Sequence, residues 1–263
     1  MYGRVAARKF AGLLLFSLAV LGSPVTAHAQ WPVNMAALDP AQPPSPAPAA
    51  VEPFGLNTVR VTFGDILTKW NGVVADIRAE SEILARCRDG MALCPAAAQK
   101  FLAVIADGRA HTGRARIGIV NRAINLAISP MSDFAQWGVL DRWSAPLATL
   151  ATGRGDCEDY AIAKYVALRE IGIAEDDLRL VIVRDTTAQE DHAVVTVRIE
   201  GSWIVLDNRW LTLVEDNEMR RMVPLFVLGH DGVKLFAPTT IADARHTTPP
   251  AEIASAAPAT IDF

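Results

Sequence analysis

Cysteine is scarce in this chain. Three residues in 263 are too few for a disulfide-framework miniprotein, and the odd count leaves one thiol over from any pairing. A basic surplus is missing too. Lys and Arg number 25 against 29 Asp and Glu, a formal net charge of -4, which argues against a general nucleic-acid binder. The N-terminal apolar run covers only about 13 residues, short of the roughly 20 that span a bilayer. A charged fraction of 21% excludes a multispanning membrane protein, and a hydrophobic fraction of 51% excludes a disordered chain. No internal repeat is present, and no organic cofactor is expected. Length allows one or two domains with a core of ordinary size.

What is present begins with an address. Arg4, Arg8 and Lys9 precede the apolar run 10–22, followed by Pro24 and Ala27-His28-Ala29. A basic start, a short apolar stretch and an Ala-x-Ala site read as a secretory signal over residues 1–29; an uncleaved anchor is the alternative. Its removal takes three of the 25 basic residues and none of the 29 acidic ones, leaving a net charge of -7. A periplasmic, oxidising location follows as an expectation, and disulfides persist there. Residues 30–57 form a Pro/Ala-rich linker, since 32–53 holds seven of the 16 prolines. Residues 58–238 are the expected folded domain, and 239–263 an Ala/Thr/Pro-rich tail expected to be disordered.

The domain reads as helical first and strand-rich second. Phe63, Ile66, Leu67, Trp70, Val73, Val74 and Ile77 recur at helical spacing, which predicts a helix over 64–86. Shorter helices fit 96–107, behind Pro95, and the stretch from Ile117 to Ile128. Prolines and glycines make 130–155 mostly loop, and a helix over 157–171 follows. Strands are predicted at 178–184, 193–199 and 203–207, with a tight turn at Glu200-Gly201-Ser202, and shorter ones near 225–228 and 233–236. The fold class is therefore α+β, a helical N-terminal lobe packed on an antiparallel sheet lobe.

Cys87 and Cys94, seven apart around Asp89-Gly90, are natural disulfide partners in an oxidising compartment. That leaves Cys157, in Gly153-Arg154-Gly155-Asp156-Cys157-Glu158-Asp159-Tyr160. The glycines permit a sharp turn, and Asp156 is placed to cap a helix beginning at Cys157. A thiol there faces the positive end of the helix dipole, which favours the thiolate nucleophile. A base and an orienting group are then required. A hairpin turn at 200–202 brings His192, ahead of one strand, and Asp207, at the end of the next, to one end of the sheet. His111 and His230 are the competing bases, and neither has an equivalent strand context; His246 lies in the tail.

The segment 153–165, ending Ala161-Ile162-Ala163-Lys164-Tyr165, resembles the signature of the bacterial transglutaminase-like cysteine peptidases, whose best-known branch is the LapG-type periplasmic proteases. Trp137-Gly138, Asp141-Arg142-Trp143, Pro146, Asp191-His192-Ala193 and Leu206-Asp207-Asn208 resemble that family as well, over about residues 60–230. The resemblance implies a papain-like, transglutaminase-like fold with a Cys157–His192–Asp207 triad. It implies calcium held by Asp156 and Glu158, with Asp159 a weaker ligand. It also implies a protein substrate, a large surface adhesin whose release affects biofilm attachment, and control by an inner-membrane cyclic-di-GMP receptor.

Each assignment has a plainer counterpart. Asp156, Glu158 and Asp159 suit a helix N-terminus without any metal. Asp207-Asn208 is also a turn pair. Trp143 is an oxyanion candidate through its indole N–H, or simple packing. Three carboxylates beside one thiol oppose its ionisation, and a calcium ion would cancel that field. Three function classes result: a peptidase, a transglutaminase-type acyl transferase passing the same thioester to an amine, and a non-catalytic calcium-dependent periplasmic binding protein.

Overall fold

The computed structural model describes residues 51–90 and 93–237. The expected signal, the linker up to residue 50 and the tail lie outside the described residues. Strand β1 (Thr58–Arg60) leads into helices α1 (Asp65–Arg88), α2 (Ala96–Arg109) and α3 (Gly113–Ala127). A short strand β2 (Ser129–Pro130) precedes α4 (Asp133–Trp137) and α5 (Pro146–Thr152). Strand β3 (Arg154–Gly155) then runs directly into α6 (Cys157–Glu170). The remainder is sheet: β4 (Leu178–Asp185), β5 (Glu190–Ile199), β6 (Ser202–Leu206), β7 (Val214–Glu215), β8 (Met222–Gly229) and β9 (Gly232–Phe236). Among the described residues no helix is long and apolar enough to cross a membrane.

Helix α1 forms where the 3.6-residue period puts Ile66, Trp70, Val73, Ile77 and Leu84 on one buried stripe. Phe63, read from the sequence as part of that stripe, precedes the helix and is 80% exposed. Cys87, at the end of α1, is bonded to Cys94 just before α2, which fixes the corner between the two helices. The region 130–155 is more ordered than its prolines and glycines predict. Pro146 sits at the first turn of α5, and Glu80 of α1 accepts the backbone N–H groups of Leu147 (2.7 Å) and Ala148 (3.0 Å), so a side chain from a distant helix caps this one.

The seven strands lie in the order β1-β9-β8-β4-β5-β6-β7, every neighbouring pair antiparallel. Period-two alternation divides their side chains between two cores. Leu178, Leu180, Ile182, Ala193, Val195 and Val197 join the main core, which α6 and the other helices complete. Val181, Val183, Val194 and Val205 join a smaller core on the opposite face. Residues 51–57, read from the sequence as the end of the linker, close that second core. Phe54 packs edge-on to Phe236 with ring centroids 6.2 Å apart, and buried Glu52 pairs with Arg179 (2.8 Å) and Lys234 (2.7 Å). Helix α6 is buried along Glu158–Leu168, so it is the central helix against the sheet.

Candidate active site

Cys157 is the first residue of α6, where its side chain and backbone N–H stand at the helix N-terminus. The expected cap does not form. Asp156 occupies the N-cap position with no side-chain cap bond, and its Oδ2 instead accepts the backbone N–H of Asp133 at 3.1 Å. The thiol donates to Glu158 Oε2 at 3.3 Å. Burial and then the Glu158 charge push the Cys157 thiol well above its ordinary value, while the Ala193 N–H works in the opposite direction. The helix dipole does not prevail here as the sequence suggests: its contribution of about 0.3–1 kcal/mol is small beside burial and like charge.

The β5–β6 hairpin places the imidazole. The hairpin is paired as far as Val195 with Leu206, which brings His192, near the start of β5, and Asp207, just after β6, to one end of the sheet. His192 Nε2 and Asp207 Oδ1 are 2.9 Å apart, with both residues buried. The bond at Nε2 leaves Nδ1 as the other ring nitrogen. Burial raises the Asp207 carboxyl, but the hydrogen bond and charge of His192 outweigh it and hold the group below its ordinary value.

Residues outside the sequence expectation hold this geometry. Arg209 donates its backbone N–H to Asp207 Oδ1 (2.9 Å), and its guanidinium spans Asp185 and Glu190, both at 2.7 Å. It ties the loop after β6 to the β4–β5 turn. From α3, Asn125 Nδ2 donates to the carbonyls of Asp207 (2.9 Å) and Trp210 (3.1 Å). No local pattern marks these groups, because each acts across the fold.

Cys157 and His192 line one open cleft of about 560 Å³. Met131, Phe134 and Leu140 form an apolar wall, and Glu190, Asp191, Asn208 and Arg209 a polar one. Phe134 is 67% and Leu140 83% exposed beside the thiol, surface that an extended polypeptide can cover. Trp143 is buried and lines a different recess, with Asp76, Glu80 and Arg142; it is not among the residues of the Cys157 cleft. His111 and His230 are not in that cleft either. His111 lies just after α2, and His230 between β8 and β9.

Two groups of carboxylates that share Asp133, five residues together, adjoin the cleft through Asp156. Asp133, Asp141 and Glu158 bring ligand atoms within 4.8 Å of one another, and so do Asp133, Asp156 and Asp159. Asp156, Glu158 and Asp159 were named from the sequence. Asp133 and Asp141 were not; Asp133 enters through the Ser132-capped turn of α4. Oxygens of Asp133, Asp141, Asp156 and Glu158 are buried without a hydrogen-bond partner. One cation, Lys69, pairs with Asp141. Burial raises Glu158 and Asp133, with the Asp156 charge adding to both, and takes Asp159 up to about 8. Buried oxygens left unpaired in a negative field suit a hard divalent cation, which takes six to eight oxygen ligands.

Among solved structures, the calcium-bound LapG of Legionella pneumophila is 20% identical with a TM-score of 0.50, covering 60% of this chain and 92% of that one. A second LapG structure from the same organism is 21% identical with a TM-score of 0.49, covering 59% and 86%. The calcium-bound form is like this chain in fold. No curated protein matches the chain. The family model for the bacterial transglutaminase-like cysteine proteinases matches residues 84–218, a span that contains Cys157, His192 and Asp207. That match covers more than half of the chain, which therefore belongs to the bacterial transglutaminase-like cysteine proteinases.

Proposed function

We propose that this cysteine peptidase is a calcium-dependent periplasmic endopeptidase working through Cys157, His192 and Asp207. The observation that carries the reading is the His192–Asp207 bond of 2.9 Å at one edge of the cleft that holds the thiol. His192 Nδ1 takes the proton from Sγ, and the sulfur attacks a peptide carbonyl carbon. The carbonyl electron pair moves onto oxygen, where the Cys157 N–H at the helix N-terminus stabilises it. Collapse breaks the C–N bond, and His192 returns the proton to the leaving amine. Water, deprotonated by His192, then cleaves the thioester and restores the thiol. Asp207 holds the ring in the tautomer that each transfer needs.

Asp133, Asp141, Asp156, Glu158 and Asp159 would hold the calcium. When bound, it supplies positive charge that cancels the field opposing the thiolate. The substrate we propose is a large cell-surface adhesin or another periplasmic protein, with biofilm attachment as the consequence and an inner-membrane cyclic-di-GMP receptor as the regulator. The open cleft with an exposed apolar wall supports a polypeptide over a small molecule.

The test is incubation of the full chain with an N-terminal fragment of a large repeat adhesin, in calcium and in EGTA, wild type against Cys157→Ala. A discrete cut by wild type in calcium alone is expected. Cutting by Cys157→Ala sinks the assigned nucleophile, and full activity in EGTA sinks the calcium role. Incorporation of an added primary amine into the product would favour the acyl-transferase reading.

A further inference from the structure

Arg209, at one edge of the Cys157 cleft, also lines a second open groove of about 620 Å³. Val214, Met219 and Met222, which belong to or pack on the second core, line that groove, and Trp210 is 41% exposed along it. The Trp210 backbone is tethered. Asn121 of α3 is buried and donates Nδ2 to the carbonyls of Trp210 (3.3 Å) and Leu211 (3.4 Å), beside the bond from Asn125 to Trp210 (3.1 Å). An indole held out on a fixed backbone leaves apolar surface in water that a bound side chain can cover. Arg220 and Arg221 line the same groove and are exposed. Among the described residues neither forms an ion pair. The Thr186 N–H and hydroxyl both donate to the Arg221 carbonyl, at 2.9 and 3.0 Å, so this backbone is fixed to the β4–β5 turn. Of the carboxylates along the groove, Asp185 is answered by Arg209, and Glu218 alone stands against the two guanidinium groups.

We propose that this groove is a specificity subsite for the polypeptide substrate: Trp210 takes a large apolar side chain, and Arg220 and Arg221 take carboxylates next to it in the same segment. The inference rests on the reading of the Cys157 cleft as the place where a polypeptide is cut. Arg209 is held by Asp185 and Glu190, so it is a fixed partition that both openings share, and a chain leaving the cleft on that side meets the groove next. Charge sets how the segment lies. The chain is acidic overall, at -4, and Asp156, Glu190 and Asp191 line the cleft itself. Substrate carboxylates are repelled beside the thiol and attracted at the two arginines. A guanidinium holds a carboxylate through parallel N–H donors, which adds direction to charge. An aromatic anchor with charged contacts around it is the arrangement that concentrates binding energy at a peptide-sized surface.

The test presents the full Cys157→Ala chain, in saturating calcium, with a synthetic library of random peptides built from Gly, Ala, Ser, Phe, Leu, Asp and Lys, and reads the retained peptides by mass spectrometry. Peptides with Phe or Leu beside Asp are expected to be enriched roughly threefold to tenfold over the input, with the Asp preference fading as salt rises. Arg220→Glu with Arg221→Glu should turn the Asp preference into one for Lys. Trp210→Ala should remove the Phe and Leu preference and keep the Asp one. Arg78→Glu with Arg86→Glu, the same charge change at exposed positions of α1, should leave the profile unchanged. Absence of Asp enrichment in the parent overturns the proposal, and so does a parental profile in the folded groove variants. Self-association of the chain by light scattering that Trp210→Ala abolishes would give the groove to a second copy and overturn it as well. Wild type digesting the same library reports on the peptidase reading separately. Enrichment without any cut sinks the proposed endopeptidase alone, and cuts without enrichment sink only the subsite.

Discussion

At Cys157 the helix N-terminus and its surroundings act in opposite directions. The dipole favours thiolate by about 0.3–1 kcal/mol. Burial and the Glu158 carboxylate favour the thiol, and Glu158 accepts its hydrogen bond. The calcium proposed among the five acids would offset much of that negative field. Iodoacetamide is therefore expected to label Cys157 about tenfold faster in calcium than in EGTA. Equal rates in the two would remove the link between the metal and the nucleophile. His192→Ala should slow labelling in calcium, and an unchanged rate would speak against His192 as the base. At this scale Cys157, His192 and Asp207 were legible because each sits where helix and hairpin spacing can be counted. Asp133, Asp141, Asn125 and Arg209 were not, because their roles exist only across distant segments.

Among the elements, the β4–β5 turn and the β3–α6 junction bear most on the site. Asp185 closes the turn ahead of His192 by accepting the N–H groups of Thr187 (2.8 Å) and Ala188 (3.0 Å) and pairing with Arg209. The Ala188 and Thr187 bonds lower its carboxyl to about 2 from an ordinary 3.8. A depressed folded value contributes stability above the unfolded one and loses it as pH falls from about 4 towards 2. Asp185→Asn should flatten the decline in melting temperature across that window, and an unchanged slope would remove Asp185 from the account. At the junction, a Cβ on Gly155 would lie 2.7 Å from Asp159 Cβ and 2.9 Å from its Cγ. Asp159 is buried and its Oδ1 accepts the Ser144 N–H at 3.0 Å, so it cannot yield freely. Gly155→Ala is expected to cost about 1–3 kcal/mol and to shrink the calcium-induced rise in melting temperature. A wild-type calcium response in that variant would take Asp159 out of the ligand set. The glycine pattern marked a sharp turn here; the close approach of Asp159 became visible only in three dimensions.

For the whole molecule, the stretch 51–57 shows how composition misleads at a boundary. Its glutamate is 7% exposed, held between Arg179 and Lys234, while Trp203 Nε1 donates to the Val51 carbonyl at 3.0 Å. Truncating one partner of a buried ion pair leaves the other charged and dry. Glu52→Ala should therefore cost about 2–4 kcal/mol by denaturant unfolding, with peptidase activity retained while the protein stays folded. A cost under about 0.5 kcal/mol would mean that the segment does not hold the second core closed.

Local sequence determined a great deal. The apolar stripe of α1, the strand alternation, the Glu200–Ser202 turn and the lone cysteine at a helix start each arise from interactions within a few residues, so periodicity and turn chemistry expose them. Tertiary structure decided the remainder. It brought Asp133 and Asp141 to the three acids named from sequence, put Trp143 in a recess other than the thiol's cleft, and buried Lys164 within the central helix. Charge and burial at these positions depend on which segments pack together, and no spacing along one segment encodes the field its neighbours will create.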